Sequence, residues 1–198
     1  TAKAVYQSRL ACGEFFGAET ENVVFTLNCT HALNYAIKGI MADGGHIITS
    51  NMEHNSVSRP IYALSKNNCS YNIAAISSND DQTISNFEDL ITSDTKAIAC
   101  TIASNVSGQI LPYRRIGQLC KKNGICFIAD GAQGCGILPL KLSDDGINII
   151  CTAGHKGLYG TTGTGLLITD GKFPLNTIIE GGTGPTSLEL DQPDFLPD

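Results

Sequence analysis

Lys156 stands in Gly154-His155-Lys156-Gly157, shortly after the apolar run Ile147 to Cys151. A lysine is ordinarily a solvated surface charge. One that is buried or flanked by another cation loses its proton readily enough to attack an aldehyde, so this position, beside a histidine and between glycines, suits an imine. Upstream, Asp130 emerges from the apolar run Ile125-Cys126-Phe127-Ile128-Ala129. Alone, such an aspartate is a turn or cap residue. In a cofactor site, its carboxylate could instead pair with a protonated ring nitrogen and keep the ring an electron sink for a carbanion at a substrate Cα. Gln133 follows closely, and Asn105 sits after Ala103-Ser104 at the end of another apolar run; either could hydrogen-bond an oxygen on the same ring.

A phosphate would need donors. Thr30, at the start of an amphipathic stretch, offers its hydroxyl and the free N–H groups of Cys29, Thr30 and His31, backed by a helix dipole, although an ordinary threonine N-cap explains it equally well. His155 could add another donor. His54, after the run ending in Thr49-Ser50-Asn51, could stack on a flat aromatic ring and exchange protons with substrate; a lone histidine is more often structural. Each residue keeps its ordinary explanation when taken singly. Their joint placement at successive strand ends is what favours a site.

The elements that must position them alternate. Short apolar runs at 23–25, 46–49, 71–74, 97–101, 125–129, 147–151 and 166–168 predict strands. Between them, amphipathic stretches at about 30–41, 56–66, 85–91 and 116–123 predict helices, the last ended by Gly124. Strands apolar on both faces predict a mostly parallel sheet covered by helices, with 166–168 as the lone antiparallel neighbour. In such a sheet ligands collect at the carboxyl ends of the strands, where the polar residues named above fall. A nucleotide-binding module would want Gly-x-Gly-x-x-Gly between its first strand and helix; here the Gly-rich segment 160–165 comes after Lys156 and leads into a strand.

Composition narrows the rest. The 198 residues carry a net charge of −6, and basic residues cluster no further than Arg114-Arg115 and Lys121-Lys122, which argues against a nucleic-acid surface. No apolar run approaches the roughly 18–20 residues of a membrane-spanning helix, and the first residues lack a secretory apolar core, so a cytoplasmic protein is expected. Eight cysteines occur singly, without any CxxC pair, several inside strand-like runs; they predict buried free thiols rather than disulfides or zinc. Neither end resembles a natural terminus, so a fragment is expected.

With these residues in place, Asn28 to Asn34, Met52 to Ser56, Ser104 to Gly108, Asp130 to Gln133 and Gly154 to Gly160, in that order, resemble the class V aminotransferase group of fold-type I pyridoxal-phosphate enzymes. Within it, they resemble the cysteine desulfurase and selenocysteine lyase families. The resemblance implies a large domain over residues 1–190 with a seven-stranded, mostly parallel sheet flanked by helices, and over 191–198 the start of a linker to a smaller C-terminal domain. It implies that Lys156 forms the Schiff base with pyridoxal 5′-phosphate, that Asp130 pairs with the pyridine nitrogen, and that His54 stacks on the ring. Gln133 and Asn105 would serve the phenolic oxygen, and Thr30 with His155 the phosphate. Thr183, in Glu180-Gly181-Gly182-Thr183-Gly184, would reach the phosphate of a neighbouring subunit, implying a homodimer.

The implied reaction removes sulfur from L-cysteine to give alanine, with a sulfur-acceptor protein as partner. A selenocysteine lyase, a C–S lyase or a true aminotransferase would use the same lysine, aspartate and histidine, and a non-catalytic scaffold is the alternative of another class. The mobile cysteine and the carboxylate-binding arginine of the family are expected beyond Asp198. Two departures stand out: Ala153 where many members place a phosphate-binding serine, for which Thr152 could compensate, and Thr161-Thr162 where a proline often follows Tyr-Gly.

Overall fold

A computed structural model describes residues 2–181. Helix α1 (Ala2–Phe16) and a single 3-10 turn (Thr20–Asn22) precede strand β1 (Val23–Thr26) and helix α2 (Cys29–Ile40). There follow β2 (Gly45–Ser50), α3 (Asn55–Leu64), β3 (Cys69–Ala74), α4 (Asp80–Glu88), β4 (Thr95–Thr101), α5 (Tyr113–Asn123), β5 (Cys126–Asp130), α6 (Leu142–Asp145), β6 (Ile149–Ala153) and β7 (Gly165–Thr169). The strands form one seven-stranded sheet in the order β1-β7-β6-β5-β4-β2-β3. The ladders among β3, β2, β4, β5 and β6 are parallel, and β7 runs antiparallel to both β6 and β1. The expected architecture is therefore present, including the lone antiparallel strand.

The sheet divides the core because neighbouring strand residues point to opposite faces. Ile48, Ile98, Phe127 and Ile150 join Phe16, Phe87 and Ile116 on one side. Ile47, Ala97, Ile128 and Ile149 join Leu33, Ile37, Val57 and Ile61 on the other. Adjacent residues of one strand thus supply two separate cores. That is why the strands read as continuous apolar runs instead of alternating ones.

Several element boundaries differ from the sequence reading by two or more residues. Helix α4 begins at Asp80, because the Asn79 side chain accepts the N–H groups of Asp81 and Gln82, and the early acidic residues complement the helix dipole. Leu90 and Ile91, read as helical, lie beyond its end and pack against the core. Strand β6 runs to Ala153, two residues past the expected Cys151. The short α6 was not expected; it forms around Asp145, which accepts from Arg114 Nε at 2.6 Å and from the Lys141 N–H at 2.8 Å. Gly124 and Gly146 close α5 and α6 in the left-handed conformation.

Candidate active site

Five segments leaving the sheet converge on one cavity of about 160 Å³. It is lined by Cys29, Thr30, His54, Asn105, Asp130, Gln133, His155 and Lys156, all expected from the sequence, together with Asn28, Ser56, Thr101, Ala103, Ala132 and Ala153. Thr183 and the segment 191–198 lie outside the described residues.

Asp130 is the last residue of β5 and only 3% exposed. Its Oδ1 accepts the Ala132 N–H at 2.9 Å and the Cys29 thiol at 3.4 Å. Its Oδ2 accepts no hydrogen bond among the described residues, and Asp130 lines the cavity. Burial, and then the nearby Asp130 charge, push the Cys29 thiol far above the ordinary range, so it stays protonated and acts as a donor. One carboxylate oxygen is thereby anchored while the other remains available to a cationic ring nitrogen.

The cavity also meets the N-terminus of α2. The expected three free N–H groups are two. Asn28, rather than Thr30, is the N-cap, and its Oδ1 takes the His31 N–H at 2.9 Å. The N–H groups of Cys29 and Thr30 have no partner among the described residues, as a phosphate cradle requires. Gly165 on β7 permits this approach, since a Cβ there would lie 2.6 Å from the Asn28 carbonyl carbon. Thr152 does not compensate for Ala153: it is buried, its hydroxyl donates to the Gly131 carbonyl at 3.4 Å, and Ala153 lines the cavity in its place.

His54 is the N-cap of α3, its Nδ1 accepting the Ser56 N–H at 3.1 Å. The Ser56 hydroxyl contacts the same Nδ1 at 2.8 Å and Thr30 Oγ1 at 2.7 Å. Ser56 was missed in the sequence. Residues 30 and 56 lie on different helices, and only the packing of α2 against α3 brings them together.

Lys156 is exposed rather than buried, at the open side of the cavity beside the exposed His155. A tight backbone turn presents it: the Lys156 carbonyl accepts the Tyr159 N–H at 3.0 Å, and the Gly154 carbonyl accepts the Gly160 N–H at 2.7 Å. The turn rests on the loop after β5, where a Cβ on Gly157 would lie 2.3 Å from the Cys135 carbonyl oxygen. Because that neighbour is backbone, Gly157→Ala is expected to displace the Lys156 turn, lowering stability by about 1–3 kcal/mol and weakening cofactor incorporation. Urea unfolding and absorbance titration with pyridoxal phosphate check this, and wild-type values in both would refute the close-approach argument.

Glu53, also missed, ties two strand ends together. Its Oε1 accepts the Ser50 hydroxyl at the end of β2 and the Thr101 N–H of β4 at 3.0 Å, while its Oε2 is buried without a partner. Thr101 is paired in register with Asp130. Burial pushes the Glu53 carboxyl from near 4.5 up to about 8, and the charge of Asp130 adds to the rise. The folded state therefore holds a proton that the unfolded chain releases. The stability this confers is fully present below about pH 4.5 and is lost as pH rises through about 8. Glu53→Gln removes the titration, so above pH 8 the variant is expected to be more stable than the parent by a few kcal/mol, on the order set by ~1.4 kcal/mol per pH unit. Unfolding midpoints measured from pH 5 to 9 test this; parallel declines in both proteins would exclude Glu53 as the cause.

The other nucleophiles and cations lie elsewhere. Seven of the eight cysteines are buried, and burial pushes the Cys135 thiol up to about 12. Arg114 pairs with Asp145, Arg115 with Asp81, and Arg9 lies over the Phe25 ring. Neither these arginines nor Arg59 line the cavity, and of the cysteines only Cys29 does.

Comparison with known proteins places the chain in a family. Residues 1–184 match the family model described as aminotransferase class-V. A cysteine desulfurase IscS of Clostridium botulinum is 30% identical over 186 residues, covering 92% of this chain and 47% of that protein. Among solved structures, the apo cysteine desulfurase of Thermococcus onnurineus NA1 superposes with a TM-score of 0.82 at 26% identity, over 96% of this chain and 52% of the other. SspA, solved in complex with cysteine, gives 0.82 at 27% identity, over 91% of this chain and 54% of its own. The chain thus spans about half the length of the relatives it matches. On the match across residues 1–184, the chain belongs to the aminotransferase class-V family.

Proposed function

We propose that this chain is the cofactor-binding domain of a pyridoxal-phosphate-dependent enzyme of the cysteine desulfurase type, with L-cysteine or a similar small amino acid as substrate. The observation that carries this is the convergence of Asp130, Lys156 and His54 on one cavity that is also lined by Cys29 and Thr30, whose N–H groups have no partner among the described residues. Acid, lysine, histidine and anion cradle are four separate requirements of one cofactor, and their residues come from four separate segments.

Pyridoxal phosphate, once bound, supplies an electron sink for the bond broken at the substrate Cα. Asp130, held by the Ala132 N–H, would pair with the ring nitrogen through its second oxygen. The backbone N–H groups of Cys29 and Thr30, at the positive end of α2, would hold the phosphate. His54 would stack on the ring, and Asn105 and Gln133, from the segments after β4 and β5, would serve its oxygen. Lys156, exposed at the cavity, would hold the cofactor and carry a proton to or from the substrate Cα.

The full protein would act as a homodimer sharing Thr183 across subunits and would pass sulfur to an acceptor protein. A protein that carries this chain at the length of its relatives should release alanine and sulfide from L-cysteine in the presence of a thiol reductant. Keto-acid formation without sulfide would favour an aminotransferase, and selenide formed only from selenocysteine would favour a lyase.

A further inference from the structure

The hydrogen bonds around Ser56 have only one consistent arrangement of protons. Its backbone N–H can only donate, and it donates to His54 Nδ1 at 3.1 Å. Nδ1 therefore carries a lone pair, and the neutral imidazole holds its proton on Nε2. The Ser56 hydroxyl, 2.8 Å from the same Nδ1, must then donate its own proton to it. With that proton committed, the 2.7 Å contact between Ser56 Oγ and Thr30 Oγ1 requires the proton of Thr30. The chain runs from the Thr30 hydroxyl to the Ser56 hydroxyl to His54 Nδ1.

One consequence is unfavourable for an anion. Thr30 lines the cavity where the phosphate would sit, yet in this arrangement its hydroxyl shows that space only lone pairs. A phosphate oxygen taking a hydrogen bond from Thr30 must reverse the chain. Thr30 then donates to the phosphate, Ser56 turns its proton toward Thr30 Oγ1, and Nδ1 keeps only the Ser56 backbone N–H. The reversal turns two hydroxyls and leaves Ser56 Oγ facing Nδ1 without a proton between them, which loosens that 2.8 Å contact, and Ser56 is buried enough, at 8% exposure, that water does not readily substitute.

We infer that Ser56 is a positioning residue that couples phosphate occupancy at the α2 N-terminus to the hydrogen bonding of His54 Nδ1. This rests on the proposed phosphate position at Cys29 and Thr30. With the cradle empty, His54 is tied at Nδ1 by two donors; with it filled, one is withdrawn and the Nδ1 lone pair is less engaged.

The full chain labelled with ¹⁵N in its histidines and backbone, without cofactor, provides the test. The His54 ring signals are assigned by their loss in His54→Asn, and inorganic phosphate is the probe. Free protein is expected to show a non-protonated, hydrogen-bonded Nδ1 and a protonated Nε2. Phosphate should shift the amide resonances of Cys29 and Thr30 and, with the same midpoint, the Nδ1 resonance. In Ser56→Ala the amides should still respond while Nδ1 does not, and Ser56→Thr should restore the response. A free-state proton on Nδ1 would overturn the inference, as would an Nδ1 response unchanged in Ser56→Ala or absent from the parent while its amides respond. Amides indifferent to phosphate would instead remove the phosphate position itself, and the coupling with it.

Discussion

Replacing Lys156 with alanine is expected to abolish covalent retention of pyridoxal phosphate and to slow amino-acid turnover by at least about 10²–10⁴-fold, the range for loss of a positioned proton carrier. Loss of the attachment point adds to that. Lys156 is the one lysine lining the cavity among the described residues, so no neighbour stands ready to replace it. The prediction is checked by borohydride reduction of the cofactor-loaded protein followed by peptide mapping, which should place the pyridoxyl group on Lys156. A label on another lysine, or a Lys156→Ala protein that retains the group, would remove the assignment on which the functional proposal depends.

The 198-residue chain by itself is expected to desulfurate L-cysteine at least about a hundredfold more slowly than a desulfurase of its relatives' full length, even when loaded with cofactor. Desulfuration needs a thiolate free to attack the substrate sulfur. Cys29, Cys135 and Cys151 lie near Asp130, but burial raises all three thiols and Cys29 is engaged with the carboxylate. Orientation of the substrate carboxylate needs an arginine fork, and no arginine of the described residues lines the cavity. Sulfide release measured with both proteins under one reductant decides the matter. Equal rates would mean that the thiolate and the clamp must be sought within residues 1–198.

Both outcomes turn on residues whose importance was legible in the sequence to different degrees. The alternation of apolar runs with amphipathic stretches was enough for a parallel sheet, because a strand covered on both faces must be apolar at every position. Ile47-Ile48 and Phe127-Ile128 show this directly, each pair feeding two cores. The strand ends then located Asp130, His54, Asn105 and Lys156, since in such a sheet a polar residue after an apolar run has few other places to be. Helix ends were less legible. Asn79 carried its capping signal, but apolar spacing drew the expected start of α4 to Ser85, and a helix is set by its first N–H partners as much as by its buried stripe.

The sequence by itself determined the fold class, the order of the main elements and eight of the fourteen residues lining the cavity, because those follow from local periodicity and from side-chain type at strand ends. Tertiary structure alone decided how these residues are connected. Asn28 rather than Thr30 caps α2, Ser56 joins Thr30 to His54, and Glu53 fastens β2 to β4 behind Asp130. It also decided that Lys156 stands exposed on a turn packed against Cys135. Hydrogen-bond partners and burial depend on distances between segments far apart in the chain, and no local pattern encodes which lone pair a given proton will find.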